Sequence, residues 1–153
     1  MKNYNAEVPE ITLQYKSSDV IKTKITNSNQ CYLLLKQMFD ADTLEYCESS
    51  IAIYLNRANN TIGWQKVSQG GITGTVVDIR IILGTALKCG ATNIIVSHNH
   101  PSGQLTSSKE DDNLTKKLNE ACKIMDIRLL DHVIITNESY YSYADDNKII
   151  SNN

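Results

Sequence analysis

Two of the three histidines in this chain, His98 and His100, stand one residue apart, after the apolar run Ile94-Ile95-Val96 and directly before Pro101. Side chains two apart in an extended segment point to the same side, so both imidazoles can meet at one point, as metal ligation requires. A pair of histidines on a polar loop is not yet a metal site, and a third ligand has to be found. Asp111 and Asp112 follow in the first turn of a helical pattern. Asp111 lies in line with Leu114 and Leu118 and is expected to face inward, whereas Asp112 lies in line with Thr115, Lys116 and Asn119 and is expected to face water. Asp111 is therefore the candidate ligand. Ser108 and Asp111 also read as an S-x-x-D capping pair, which stabilises a helix start without any metal. Spacing alone leaves both readings open. Two imidazoles and one carboxylate, with a fourth position left to water, form the ligand set of a catalytic zinc site.

The elements that would position these residues can be read from periodicity. Residues 108–125 carry Leu114, Leu118, Ala121, Cys122 and Met125 at helical spacing, which marks an amphipathic helix. TNIIVS (92–97) is a short buried strand aimed at the histidines. Upstream, Asp78 caps a helix through Ile79, Ile82, Ala86 and Leu87 that stops at Gly90. SIAIYLN (50–56) and TIGWQKVS (61–68) form a hairpin across the turn RANN, and QGGITGTVVD reads as a loop whose glycine spacing fits no phosphate-binding fingerprint. Residues 8–16 are expected as a strand, Ser28 as the N-cap of a helix bearing Cys31, Leu34, Leu35 and Met38, and strands near 127–136 and 140–144 close the domain. The last residues, DDNKIISNN, are expected to fray. Hairpins mixed with a helix-linked crossover imply an α/β fold of the α+β kind, a mixed sheet flanked by helices.

At 153 residues the chain is about one domain long and can bury a core without staples. The division expected is an N-terminal strand and polar lead-in over 1–27, a domain over 28–145 and a tail over 146–153. Cys31, Cys47, Cys89 and Cys122 lie far apart with no C-x-x-C pair, and read as reduced, mostly buried thiols of a cytoplasmic protein. No apolar leader opens the sequence and no run approaches a membrane span. Other H-x-H metal families do not fit. A metal-dependent (β/α)₈ hydrolase needs roughly 250 residues, a zincin needs H-E-x-x-H, and a zinc deaminase needs H-x-E with P-C-x-x-C.

Residues 98–111, HNHPSGQLTSSKED, run His-x-His, seven residues, Ser, two residues, Asp. This pattern resembles the JAMM (MPN+) metalloprotease motif, and the stretch H-N-H-P-S-G resembles its RadC branch. YLNRANNTIG, SQGGITGTVVD and LLDHVIIT are similar to the same family, so the likeness covers roughly residues 28–145. It implies a JAB/MPN-like domain of cytidine-deaminase-like architecture, with zinc on His98, His100 and Asp111. It further implies an upstream glutamate as general acid/base, a register that falls on Glu48 with Glu45 as the fallback. That residue would take a proton from water and deliver it to the leaving amine, while the hydroxyl of Ser108 would stabilise the oxyanion. Pro101 and Gly103 would shape the turn after the ligands. His132, in an apolar strand, reads as a packed residue behind the ligands at most, and Trp64 and the tyrosines near 140–143 as packing.

The resemblance implies a zinc-dependent peptidase or isopeptidase acting on a peptide or an amide-linked protein. Two readings from other classes stand beside it, a DNA-repair-associated accessory protein and a catalytically silent MPN interaction module. Silent modules usually lose ligands, and this sequence keeps the whole set. Longer RadC members carry an N-terminal helix-hairpin-helix region that could touch DNA, and only about 27 residues precede the first expected helix here. The net charge of −2 and the interleaving of Lys109, Lys116, Lys117 and Lys123 with Glu110, Asp112 and Glu120 supply no basic stripe for a phosphate backbone. Little affinity for duplex DNA is therefore expected at physiological salt. Tight binding in a gel-shift titration, weakening steeply with added salt, would favour the accessory-protein reading instead.

Overall fold

A computed structural model describes residues 11–12, 14–71 and 76–149. The described elements run α1 (Ser28–Met38), β1 (Ser49–Leu55), β2 (Thr61–Gln69), α2 (Ile79–Cys89), β3 (Asn93–Asn99), α3 (Lys109–Ile124), β4 (Arg128–Ile135) and β5 (Tyr140–Ser142). The strands form one mixed sheet in the order β2-β1-β3-β4-β5. β3 and β4 are parallel and every other neighbouring pair is antiparallel. Parallel neighbours need a crossover, and α3 supplies it, leaving the sheet at the histidines and returning at Arg128. This is the α/β arrangement, a mixed sheet flanked by helices, that the order of elements implies.

β1 and β3 are buried along their whole length because each has a strand on both sides and helices on both faces. One face carries Ala52, Tyr54, Ile94, Val96 and Leu129 and packs on Ile82, Ala86, Leu118 and Cys122 of α2 and α3. The other carries Ile51, Ile53, Leu55, Ile95, Val133 and Ile135 and packs on Cys31 and Leu35 of α1. α2 starts at Asp78, whose carboxylate accepts from the Arg80 amide, and ends at Gly90, whose φ of 68° is the left-handed conformation glycine adopts without strain. No helix among the described residues is long and apolar enough to cross a membrane.

Four expectations are corrected. The strand over 8–16 lies partly outside the described residues, and residues 11–12 and 14–16 form no strand. The first helix is capped by Asn27, whose side chain accepts from the Gln30 amide. Asparagine caps as well as serine does, and the Ser28 hydroxyl is engaged instead with Asp145 and Tyr140. Of the tail expected to fray, residues 150–153 lie outside the described residues, and residues 145–149 are held, with the amides of Asp145, Asp146 and Lys148 bonded to Ser142 and Tyr143. Thr115, expected to face water, is buried against the sheet. Of the glycine-rich loop, residues 72–75 lie outside the described residues and 76–78 form no regular element.

β4 carries a bulge, because Ile94 pairs with Leu129 but Ile95 pairs with Asp131. The extra residue, Leu130, reverses the alternation beyond it. Asp131 consequently turns towards α1, where burial pushes its carboxyl up to about 6 even though Ser142 and the Ala144 amide donate to it. A carboxyl raised above its unfolded value of about 3.9 stabilises the fold while protonated and ceases to as pH rises. From the pKa of about 6, the wild type should lose up to about 3 kcal/mol relative to Asp131→Asn between roughly pH 4 and pH 6. Denaturant melts of both proteins across that window test this, and parallel stability curves would refute it.

Candidate metal centre

β3 delivers His98 to the face covered by α3, and His100 follows just beyond the strand with its amide bonded to the Ile135 carbonyl. α3 begins at Ser108, so its first turn lies over the same strand end. His98, His100 and Asp111 converge there, each offering one ligand atom, with all three atoms within 4.8 Å of one another. The two Nε2 atoms are 3.0 Å apart. Asp111 Oδ1 lies 3.2 Å from His98 Nε2, and Oδ2 lies 3.5 Å from His100 Nε2.

The tautomers follow from the partners behind the rings. Thr115 Oγ1 lies 2.7 Å from the Asp111 carbonyl, which can only accept, so the one hydroxyl proton points there. Thr115 Oγ1 must then accept from His132 Nδ1, 2.6 Å away. Burial, and next the neighbouring His98, hold the His132 pKa well below its ordinary value, so that ring stays neutral and its Nε2 bears a lone pair. That lone pair accepts from His98 Nδ1 at 2.8 Å, leaving His98 Nε2 without a hydrogen. His100 Nδ1 donates to the Gln104 carbonyl at 2.7 Å, so its Nε2 is bare as well. Two bare nitrogens and a carboxylate facing one another call for a cation between them.

A proton is one such cation, and Asp111 accordingly raises the His100 pKa by hydrogen bonding, against burial and with help from the Gln104 carbonyl. Burial alone would raise the Asp111 pKa, but hydrogen bonds from His100 and His98 overcome it and hold the carboxyl far below the usual range. A metal ion is the other. Bonds of about 2.0–2.1 Å in tetrahedral geometry separate ligand atoms by roughly 3.3 Å, close to the spacings found. The donor set therefore fits a small divalent ion. Each imidazole is held through its other nitrogen, the kind of support that metal-binding histidines receive from the groups behind them.

Ser108 caps α3 with its side chain accepting from the Asp111 amide at 3.1 Å, while Asp111 Oδ2 accepts from the Ser108 amide at 2.8 Å. The capping box is thus present, and Asp111 still presents Oδ1 to His98, with Oδ2 near His100. The two readings of this pair are compatible. Ser108 uses a lone pair in the cap and keeps its hydroxyl proton for another acceptor. Asp112 faces outward and accepts from the Tyr143 hydroxyl, and Tyr143 stacks on His132 with ring centroids 4.9 Å apart.

Glu48 precedes β1 by one residue. Ser50 pairs with His98, so the alternation of β1 puts Glu48 on the ligand face near the His100 end. It is half-buried, and burial first, with Asp111 adding repulsion, raises its pKa while His98 and His100 lower it. Glu45 is exposed in the turns before β1. Trp64 is half-exposed on edge strand β2, and His132 stands directly behind His98. Thr115 and Asn99 are the residues of this centre that reading the sequence for chemistry passed over. Strand alternation held the signal for Asn99, since a residue between two ligands must point to the opposite face.

With this geometry in view, residues 25–149 match the family described as the RadC-like JAB domain. A UPF0758 protein of Flavobacterium johnsoniae is 38% identical over 138 residues, covering 90% of this chain and 59% of that protein. UPF0758 proteins of Streptococcus gordonii and Streptococcus sanguinis are 44% and 42% identical over 103 residues, 67% of this chain and 46% and 45% of theirs. The chain spans about half the length of the curated relatives it matches.

Calorimetric titration with a divalent ion should show about one site per chain. Asp111→Asn should weaken it at least tenfold, since losing even a group behind a ligand typically costs 10–100-fold, whereas Asp112→Asn, which keeps an acceptor for Tyr143, should change it little. Equal losses in the two variants would mean that Asp111 is not a ligand.

Proposed function

This chain belongs to the RadC-like JAB domain family, and on that premise we propose that it is a zinc-dependent metallohydrolase that cleaves an amide bond in a peptide or an amide-linked protein. The observation that carries the reading is the pair of bare imidazole nitrogens facing the Asp111 carboxylate, with half-buried Glu48 on the same face. His98, His100 and Asp111 would hold the ion. When bound, zinc acts as a Lewis acid and lowers the pKa of water from about 15.7 to about 7.

The remaining steps belong to the chain's own residues. Glu48 accepts a proton from the water that attacks the amide carbon, then returns it to the nitrogen as the carbon–nitrogen bond breaks. Burial brings its pKa up from the ordinary carboxylate value, towards the range where one carboxyl serves as both acceptor and donor. Ser108, whose hydroxyl proton is not needed by the helix cap, donates to the oxygen that gains negative charge. Thr115 and His132 keep His98 in the tautomer that binds metal. The four free thiols support a reducing compartment, the cytoplasm.

The test compares Glu48→Gln with Glu45→Gln in zinc-loaded protein, using a panel of unstructured peptides and amide-linked protein conjugates. Glutamine cannot carry a proton, so Glu48→Gln should retain zinc and lose about 10²–10⁴-fold in rate. Glu45→Gln should remain near wild type. Loss confined to Glu45→Gln would move the proton carrier by three positions in the sequence. A zinc-loaded wild type that cleaves nothing in the panel would leave the interaction module as the better reading.

A further inference from the structure

Asn99 separates the two histidine ligands in sequence, and alternation turns it to the opposite face of the sheet. It is fully buried. Its Oδ1 accepts from the Ser49 amide at 2.8 Å and from the Ser49 hydroxyl at 3.3 Å. Its Nδ2 donates to the carbonyls of Leu44 and Cys47 at 2.7 and 2.9 Å. The carboxamide thereby uses both donors and both acceptor positions on one short segment. Cys47 and Ser49 are the residues on either side of Glu48, and the Glu48 carbonyl itself is held by the Gly70 amide at 2.8 Å. From Leu44 to Ser49 the chain runs as turns into the first residue of β1, where the end of β2 holds it from one side and Asn99 from β3 on the other.

We infer that Asn99 is a positioning residue that holds Glu48 at the metal centre by clasping the peptide groups on both sides of it. The inference rests on the reading of Glu48 as the proton carrier. It goes beyond that reading by locating the control of the carboxylate in the residue between the ligands. His98 and His100 hold the ion on one face of β3, and Asn99 sets the height of the acid/base from the other face. Any shift of this strand end therefore moves ion and carboxylate together. A buried carboxamide with all four positions used is also costly to replace, because removing it leaves the Leu44 and Cys47 carbonyls and the Ser49 amide without partners.

The test needs no substrate. Asn99→Ala is titrated with cobalt(II) beside wild type, Glu48→Gln and His98→Ala, and hydrogen exchange is followed at the Ser49 amide. Asn99→Ala should bind one cobalt with affinity within about threefold of wild type, because the ligands are untouched, while the Ser49 amide exchanges at least about tenfold faster. The pH midpoint of the cobalt spectrum should move in the same direction as in Glu48→Gln, and Asn99→Ala should add nothing further in the Glu48→Gln background. A merely structural role would leave that midpoint at the wild-type value, which would overturn the inference. So would loss of cobalt to the extent seen in His98→Ala, or unchanged exchange at Ser49. If Asn99→Ala does not fold, Asn99→Asp keeps the volume and the acceptor for Ser49 but replaces the two donors with an acidic oxygen facing the Leu44 and Cys47 carbonyls, and a midpoint shift that disappears in the Glu48→Gln background is expected. A wild type that takes up no cobalt refutes the zinc reading, and the exchange at Ser49 still decides whether Asn99 clasps the segment.

Discussion

A run of hydrogen bonds, each with one proton to place, ties the centre to three elements: His98 on β3 donates to His132 on β4, His132 to Thr115 on α3, and Thr115 to the Asp111 carbonyl one turn earlier. Because the last acceptor is a carbonyl, every donor upstream has only one direction available. The consequence is local and electronic. His98 is left with a bare Nε2 at the point where His100 and Asp111 also present acceptors. The same bonds fasten the start of α3 to the sheet, so the geometry of the His98, His100 and Asp111 side chains and the docking of the crossover helix are one arrangement.

Two further economies follow from the crossover. The start of α3 needs its free amides satisfied, and Ser108 and Asp111 do this reciprocally. The cap orients the Asp111 carboxylate, since the oxygen that accepts from the Ser108 amide fixes where the other oxygen points. On the far face, the chain between α1 and β1 runs as turns, and Asn99 bonds its Leu44 and Cys47 carbonyls. A strand end with helices on both faces can thus act in two directions, with His98 and His100 on one side and the Asn99 bonds on the other.

Polar burial on this scale sits in the interior with few loose ends. His98, His132, Thr115, Asn99 and Asp131 are all buried, and each has hydrogen-bond partners. Ser50, Ser68 and Ser97 have buried hydroxyls without partners among the described residues. Ser50 pairs with His98 across the sheet, and Ser68 pairs with Ser50, so two of these hydroxyls lie on the ligand side of the sheet.

Much of this was legible in the sequence, because it depends on contacts that are close along the chain. The hairpin of β1 and β2, the Asp78 and Gly90 ends of α2, the amphipathic stripe of α3 and the inward phase of Asp111 all follow from periods of 2 and 3.6 and from capping chemistry. The His-x-His spacing likewise needs only a pleated strand. Tertiary structure decided what depends on a partner far along the chain. The bulge at Leu130 turns His132 towards α3, although uninterrupted alternation from Leu129 would send it to the α1 side. Thr115 looked solvent-facing by helical phase, but α3 packs low enough for its hydroxyl to reach His132. Alternation turns Asn99 away from the histidines, but not towards any partner that can be named, since its four bonds go to a segment about 50 residues away. Periodicity reports which way a side chain points from its own element. Which partner it meets there is set by register, bulges and the depth of packing, and these depend on the whole sheet.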